Sequence, residues 1–321
     1  MGTYLVTGHA GFIGSRLTRK LLESNHRVIG VDCITDYYSR DFKISNLEML
    51  NNLNGNYTHL ELDLNQIENF NFTLGKYGLS GIFHLAGQPG VRGSWSDAFA
   101  IYARNNIVAT QRIFDFAGST IPVVFASSSS VYGNATTYPV IEKTQLNPIS
   151  PYGLTKKTCE ELATIYNNEF GLQSTALRYF TVYGPGQRPD MAFTKLCSSL
   201  ITGDQFSSNG NGEQIRDFTF VEDAVSATIN AMQGSRLPVY NVGGGHEISL
   251  NGVIKIFEEV SGKKLNAAYV GHQAGDVFKT GANTDLLNRT TSWEARVGIS
   301  EGIRMQWDWA ISNPHFFVKK N

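Results

Sequence analysis

The chain has 321 residues, of which 41% are hydrophobic and 17% charged, and its formal net charge is −1. This balance disfavours a surface for nucleic acid or an anionic membrane, and no apolar run is long enough to span a bilayer. Its three cysteines, Cys33, Cys159 and Cys197, lack metal-ligand spacing and disfavour a disulfide framework, so we expect a reducing, cytoplasmic location and no metal.

Short apolar runs alternate with helical patterns through the first half of the chain. The predicted strands are Tyr4–Thr7, Arg27–Val31, Tyr57–Leu62, Gly81–Leu85, Val123–Ser127 and Ser174–Tyr179. The predicted helices are Ile13–Glu23, Phe42–Asn51, Gln66–Phe70, Asp97–Ala117 and Ser150–Phe170. This alternation is typical of βαβ units, so we expect an α/β fold with a Rossmann-type, doubly wound parallel sheet.

After Gly184 the pattern changes to loops rich in Gly, Pro and Asn with short helices between them. We expect residues 1–184 to form the sheet domain. Residues 185–321 would mainly form a smaller α/β substrate lobe, with strands returning to the sheet around residues 213–250.

The first strand is followed by the glycine-rich segment Thr7–Gly14, which opens a predicted helix. This is the context that a dinucleotide-binding fingerprint requires. Gly8 permits a tight turn, Gly11 lets the backbone approach a pyrophosphate at the helix N-terminus, and Gly14 allows the helix to pack closely on the strand. The alternative is a purely structural turn. The predicted cofactor contacts are Gly8, Gly11, Phe12, Ile13 and Gly14.

Asp32 ends the second predicted strand, 18 residues after Gly14. A carboxylate at this position accepts bonds from a ribose and repels a 2′-phosphate, which predicts NAD over NADP. The alternative is a strand-end residue that caps a turn. Asp63 and Leu64, after the third strand, are predicted to flank the adenine, although an Asp there is also a good helix cap.

Tyr152 and Lys156 are four residues apart in a predicted helix and therefore lie on one face of it. An ammonium close to a phenol favours the phenolate, so Tyr152 can act as a general base. A run of serines, Ser127–Ser130, ends an upstream strand and can supply a hydroxyl that shares the substrate's proton.

Together these motifs resemble the extended short-chain dehydrogenase/reductase family, which includes NAD-dependent sugar epimerases and dehydratases. The resemblance covers nearly the whole chain. It includes, in order, Thr7–Gly14, His84–Gly87, Ser127–Gly133, Tyr152–Lys156, Leu177–Gly184, Arg216–Phe218 and Gly275–Val277. It implies that Ser128 is the hydroxyl partner of Tyr152 and that Leu85, Ala86 and Asn106 lie along the cofactor.

Within this family the chain is most similar to the UDP-glucuronate 4-epimerases, through Gln88–Trp95 and Arg178–Ala192. Related dehydratases and decarboxylases have acidic residues where this chain has Ser129 and Ser130, so elimination and decarboxylation are disfavoured. The resemblance implies that the hydroxyls of Ser129, Ser130 and Thr181 hold a sugar carboxylate. The alternative is that they cap turns.

The resemblance implies further substrate contacts along the nucleotide. Arg188 and Arg216 match contacts to the pyrophosphate, and Asp276 matches a contact to the ribose. The remaining expected substrate contacts are Tyr179, Met191 and Arg92, whose partner is left open. Many relatives place an aromatic residue near Asn209 to stack on uracil, so here either Phe206 stacks or the base differs.

The expected activity is therefore epimerisation at carbon 4 of a UDP-sugar, with UDP-glucuronate as the expected substrate, through a transient 4-keto intermediate. One alternative is a UDP-glucose or N-acetylated-sugar 4-epimerase. Another, from a different class, is a non-catalytic NAD-binding sensor. The family resemblance also implies a homodimer, for which the candidate helices are Asp97–Ala117 and Ser150–Phe170.

Overall fold

The computed structural model describes residues 1–53, 55–234, 237–271 and 274–318. In chain order the strands are β1 (Thr3–Thr7), β2 (Arg27–Asp32), β3 (Tyr57–Glu61), β4 (Gly81–His84), β5 (Val123–Ser128), β6 (Ser174–Tyr179), β7 (Thr181–Tyr183), β8 (Phe206–Asn209), β9 (Ile215–Phe220), β10 (Val239–Val242), β11 (Glu247–Ser249) and β12 (Ala267–Val270).

The α-helices, also in chain order, are α1 (Phe12–Glu23), α2 (Arg40–Asn51), α3 (Phe70–Thr73), α4 (Phe99–Tyr102), α5 (Ala109–Ala117), α6 (Pro151–Phe170), α7 (Ala192–Thr202), α8 (Val221–Gln233), α9 (Leu250–Ser261), α10 (Asp285–Thr291) and α11 (Ile299–Ser312). A π-helical segment, Ala103–Val108, joins α4 to α5. The 3₁₀ turns are Gly75–Tyr77, Arg92–Ser94, Ser96–Ala98, Ser129–Val131 and Pro314–Phe316.

A seven-stranded parallel sheet, in the order β10-β6-β5-β4-β1-β2-β3, forms the centre of the described structure. The chain runs outward from β1 to β3 and then crosses back to β4, which confirms the predicted doubly wound fold. Because β1 and β4 are neighbours whose connections leave in opposite directions, a crevice opens beyond their carboxyl ends. This crevice is where an open α/β sheet of this kind binds its ligand.

Helices cover both faces of this sheet, so its strands are apolar on both sides. On one face α1 and α8 pack over a core that includes Val6, Leu17 and Val225. On the other face α5 and α6 pack over a core that includes Ile82, Phe114 and Cys159. At the carboxyl edge of the sheet, α1 therefore lies on the first face and α6 on the second.

The second lobe has its own core around two small sheets. One sheet has the order β11-β9-β7 and the other pairs β12 with β8. Phe193, Phe218, Phe257 and Trp307 are buried between these sheets and α7, α9 and α11. The strand β10, however, lies in the large sheet beside β6. The boundary between a domain of residues 1–184 and a lobe of residues 185–321 stays a prediction.

Two predicted helices differ from the structure. The helix predicted over Gln66–Phe70 is wrong, because the Asn69 side chain accepts the N–H of Phe72 and so starts the short α3 at Phe70. The helix predicted over Asp97–Ala117 is composite, since the π-helical segment interrupts it. None of the described helices combines the length and the apolar character needed to cross a membrane.

Candidate active site

The turn between β1 and α1 is built so that another group can approach its backbone. Gly8 has φ 72°, and a Cβ there would lie 2.8 Å from the amide nitrogen of Ala86. A Cβ on Gly14 would lie 2.1 Å from the carbonyl oxygen of Gly8. Gly11 is the N-cap of α1 and offers no capping side chain. The first N–H groups of α1 are therefore available to an anion at the carboxyl edge of the sheet.

A groove runs along this edge, from the glycine turn to the ends of β2, β3 and β4. Every predicted cofactor contact in the glycine turn and at the strand ends lines it: Gly8, Gly11, Phe12, Ile13, Gly14, Asp32, Asp63, Leu64, Leu85 and Ala86. These residues fit a dinucleotide, since glycines leave room for a pyrophosphate and Asp32 faces the ribose position.

Asp32 is held as a buried carboxylate. It accepts the N–H groups of Ile34 at 2.9 Å and Ala10 at 3.3 Å. The ammonium of Lys43, also buried, lies 3.6 Å from its Oδ1. Asp63 accepts the N–H of Asn65 at 2.8 Å, so it caps a turn and not the helix of the alternative interpretation.

The groove is also lined by residues that were not predicted from the sequence, among them Thr35, Tyr37, Tyr38 and Lys43. These four follow β2 or lie in the first turn of α2. The available signal is the polar and aromatic run Thr35–Tyr38 shortly after Asp32, at the carboxyl edge where ligands bind.

Lys156 lies below the groove, between β5 and the loop after β4. It is buried, and its Nζ donates to the carbonyl of Ala126 at 2.9 Å. The same ammonium lies 6.0 Å from the centroid of the Tyr152 ring, which confirms that the two side chains share one face of α6. A Cβ on Gly87 would come within 3.4 Å of this Nζ, so the pair faces the groove wall.

The serines that follow β5 form a tight 3₁₀ turn beside the start of α6. Ser128 Oγ accepts the N–H of Ser130 at 3.2 Å and donates to its Oγ at 3.1 Å, so it does cap the turn. A Cβ on Gly153 would lie 2.6 Å from the Ser130 carbonyl oxygen. The turn therefore contacts α6 at the residue that follows Tyr152.

Two buried residues hold the loop after β4 against these elements. His84 bonds Thr7 Oγ1 at 2.7 Å and Thr110 Oγ1 at 3.0 Å, and burial, with a contribution from the Lys156 charge, lowers its pKa to about 3. Asn106 bonds the backbone of Gln88 in both directions, at 2.7 and 3.1 Å, and Thr155 at 3.0 Å. These bonds show that Asn106 positions the loop, and its expected place along the cofactor stays a prediction.

On the opposite wall, Arg188 borders the groove near Tyr37 and Tyr38. Asp190 binds it through two bonds of 2.9 Å. Burial by itself would lower the pKa of the Arg188 guanidinium. The bonds and charge of Asp190 outweigh burial, so this pKa is raised. Met191 N donates to the Arg188 carbonyl at 3.1 Å, so the two residues form one turn before α7. Thr181 is half-buried at the start of β7.

A second polar cluster joins the sheet domain to the other lobe. Arg92 donates to Asp276 through Nη2 at 2.7 Å and Nε at 3.2 Å. With the Asn209 amide turned to present its oxygen, that oxygen accepts from Arg92 Nη2 at 2.8 Å. Arg216 lies near Arg92 and Asp276. Burial lowers the pKa of its guanidinium, and the charge of Asp276 opposes this effect. The structure thus brings Arg216 and Asp276, both expected along the nucleotide, together with Arg92 and Asn209, whereas Arg188 borders the groove at the glycine turn.

Two expected substrate contacts are wrong. The Tyr179 side chain lies in the core under α8, where its hydroxyl bonds Thr228 at 2.6 Å. Phe206, the candidate to stack on a base, is 4% exposed and packs in the core of the second lobe. In both cases the alternation of side chains along a strand points the ring inward.

Comparison with known proteins agrees with this geometry. A family model described as the NAD dependent epimerase/dehydratase family matches residues 4–243. The UDP-glucuronate 4-epimerase of Thermodesulfobacterium geofontis is 33% identical over 317 residues, covering 98% of this chain and 97% of that protein.

Solved structures agree over the same extent. The UDP-glucuronic acid 4-epimerase of Bacillus cereus, in complex with UDP-glucuronic acid and NAD, is similar at a TM-score of 0.90 and 33% identity, with 97% of this chain and 99% of that one covered. The UDP-glucose 4-epimerase of Thermotoga maritima, with UDP-glucose, is similar at a TM-score of 0.89 and 29% identity, with 98% and 100% covered.

Proposed function

Because the chain belongs to the NAD-dependent epimerase/dehydratase family, we propose that it is a UDP-glucuronate 4-epimerase, which interconverts UDP-glucuronate and UDP-galacturonate. The observation that carries this proposal is the turn Ser128–Ser130 beside Tyr152 and Lys156. It offers several neutral hydroxyls and no carboxylate where the sugar would react. Neutral donors can hold an anionic sugar, whereas an acidic residue would repel it.

The proposed reaction begins at the hydroxyl on carbon 4 of the sugar. The Lys156 ammonium stabilises the phenolate form of Tyr152, which takes the proton of this hydroxyl and becomes a neutral phenol. Ser128 holds the substrate oxygen during the transfer. A bound NAD supplies the hydride chemistry at carbon 4. The 4-keto sugar turns over in the pocket, and Tyr152 returns the proton when the opposite face has been reduced.

The hydroxyl groups have a second role for a glucuronate. Its 4-keto form is a β-keto acid, which is prone to lose carbon dioxide. We propose that Ser129, Ser130 and Thr181 restrain the carboxylate in an orientation that disfavours this loss. Arg188 supplies positive charge on the facing wall of the groove.

The nucleotide half of the substrate would lie towards the second polar cluster. Arg216 and Arg92 provide cations for the pyrophosphate, and Asp276 provides a carboxylate for ribose hydroxyls. Phe206 is buried and cannot stack on the base, so Asn209, which bonds Arg92, would face the base instead. This arrangement supports a nucleotide-linked sugar as substrate.

The decisive experiment offers the purified protein UDP-glucuronate, UDP-glucose and UDP-N-acetylglucosamine separately and identifies the products by NMR. We expect UDP-galacturonate from the first and much slower turnover of the other two. Faster turnover of UDP-glucose would favour the alternative suggested by the Thermotoga maritima enzyme. Bound NAD without turnover of any sugar would favour a non-catalytic sensor, which has no need for Tyr152, Lys156 and Ser128.

We also propose that the protein is a cytoplasmic homodimer. Large apolar side chains are exposed on the two helical segments named for this role, namely Phe99, Ile101, Val108, Leu154 and Ile165. Pairing of these segments across a two-fold axis would cover them. The free cysteines Cys33, Cys159 and Cys197 fit a reducing compartment.

The dimer can be tested by light scattering after gel filtration. We expect the double substitution Ile101→Arg and Leu154→Arg to convert a dimer into a monomer. The matched control is Ile44→Arg, since Ile44 is 44% exposed on α2, which packs with α1 on the other face of the sheet. A wild-type monomer would contradict the proposal.

A further inference from the structure

Two buried charges close to the proposed active site have no part in the mechanism given above. Arg178 lies on β6 and is 4% exposed. Its Nη2 donates to Glu160 Oε2 of α6 at 2.6 Å, and its Nε donates to Glu160 Oε1 at 3.0 Å. Burial opposes the charge of Arg178, but Glu160 and Tyr132 outweigh this and raise its pKa. Arg178 therefore remains charged.

This ion pair holds the turn Ser128–Val131 at both of its ends. On the near side, Ser127 Oγ donates to Glu160 Oε1. On the far side, Arg178 Nη1 donates to the Tyr132 hydroxyl at 2.8 Å, and that hydroxyl donates to Asn241 at 2.6 Å. The residues directly before and after the turn are thus anchored to the same two charges.

The pair also attaches the turn to the helix that carries Tyr152. Glu160 follows Lys156 by one helical turn, and Lys156 Nζ donates to Ala126, the residue before Ser127. Two successive turns of α6 therefore bond two successive residues of β5. This double attachment restrains both sliding and rotation of α6 relative to the strand that ends in Ser128.

We propose that Arg178 and Glu160 are positioning residues, which set the separation between the Ser128 hydroxyl and the Tyr152 phenol through Ser127 and Tyr132. The inference rests on the proposed function, since it concerns the same proton transfer. A buried ion pair of this kind contributes little net stability compared with apolar residues, whereas its geometry is specific. Misplacement of reacting groups by about 1 Å costs on the order of 100-fold in rate.

The test compares Glu160→Gln, which keeps the side-chain shape and removes the charge, with the wild-type enzyme. We expect kcat for UDP-glucuronate to fall about 10- to 100-fold. KM and the amount of NAD that copurifies should stay within about twofold of wild type, since neither residue touches a ligand. Arg178→Lys, which keeps the charge but not the fork of donors, should retain only part of the wild-type kcat.

A double-mutant cycle separates positioning from general destabilisation. If Ser127 acts through Glu160, adding Ser127→Ala to Glu160→Gln should lower kcat no further than Glu160→Gln alone. Ser127→Ala by itself leaves the ion pair intact and carries the test if Glu160→Gln does not fold. We then expect a loss of about fivefold in kcat with unchanged KM.

The matched control is Asp223→Asn. Asp223 is a buried carboxylate that accepts the N–H groups of Arg296 at 3.1 Å and Val297 at 3.0 Å, in the other lobe. The substitution Asp223→Asn should lower the melting temperature and leave kcat unchanged. Folded Glu160→Gln or Ser127→Ala enzyme with kcat within twofold of wild type would overturn the inference alone. A wild-type enzyme that turns over no sugar would overturn the proposed function and this inference with it.

Discussion

At the scale of single residues, the candidate site depends on one phenol, one ammonium and a turn of hydroxyls that α6 and the end of β5 hold together. Lys156 is buried and bonded to Ala126, so its charge is fixed beside Tyr152 instead of moving in solvent. The Tyr152 backbone N–H donates to Ser94 Oγ at 3.1 Å, which ties the start of α6 to the loop after β4. The two predictions at this scale each concern the loss of one hydroxyl group.

Replacing Tyr152 with Phe should remove the general base and keep the ring, which packs edge-on against Tyr102 at a centroid distance of 6.3 Å. We expect kcat to fall at least about 100-fold. Binding of UDP-glucuronate, measured by calorimetry, and the NAD content should be unchanged. Retention of more than a tenth of the wild-type kcat would mean that another group takes the proton.

Replacing Thr181 with Ala should remove one donor from the proposed carboxylate cradle. We expect slower epimerisation and a larger decarboxylated fraction, because the 4-keto acid is held less firmly. NMR of the products measures both quantities. Thr202→Ala, at the exposed end of α7, is the control and should change neither. Unchanged rate and product ratio in Thr181→Ala would contradict the cradle.

At the scale of secondary-structure elements, strand and helix signals in the sequence were mostly sufficient. The observed strand β6, Ser174–Tyr179, has the predicted bounds, and Ser150 caps α6 by accepting the N–H of Gly153 at 3.1 Å. The π-helical segment was not predictable, because its extra residue places Asn106 against Gln88 and Thr155, which are distant in sequence.

The glycine turn offers a prediction about a whole element. Gly14→Val should displace α1 from β1, because even a Cβ at this position would lie 2.1 Å from a backbone oxygen. We expect the purified protein to lose its NAD and to melt at a lower temperature. In Gly298→Ala, where a Cβ would meet nothing within 4 Å, both quantities should match wild type. NAD content is measured after denaturation. Normal NAD content in Gly14→Val would show that the turn does not hold the cofactor.

At the scale of the whole molecule, buried histidines connect stability to pH. Burial lowers the pKa of His84 from 6.5 to about 3 and that of His9 to about 4. Each is therefore neutral in the fold at a pH where the unfolded chain already takes up a proton. Their stabilising contribution is fully present above pH 6.5 and is lost progressively as pH falls towards 3 to 4.

The corresponding test uses His84→Gln, whose amide can still bond Thr7 and Thr110 but does not titrate. We expect the melting temperature of NAD-free wild-type protein to fall more between pH 7 and about pH 4.5 than that of the variant. Carboxylates titrate in both proteins, so their effect cancels in the difference. Parallel melting curves against pH would contradict the assignment of a neutral His84.

The sequence by itself determined the fold class, the glycine turn, Asp32 and the pair Tyr152–Lys156, because each depends on local spacing along one strand or helix. The family match confirms the resemblance on which the expected activity was based. Only the tertiary structure decided which side chains reach the groove. In the folded chain Tyr179 and Phe206 are buried, and Lys43 lies beside Asp32. Arg178 and Glu160 form the ion pair that holds the serine turn. The physical reason is that these outcomes depend on which face of an element packs against which neighbour, and residues far apart in the chain supply that neighbour.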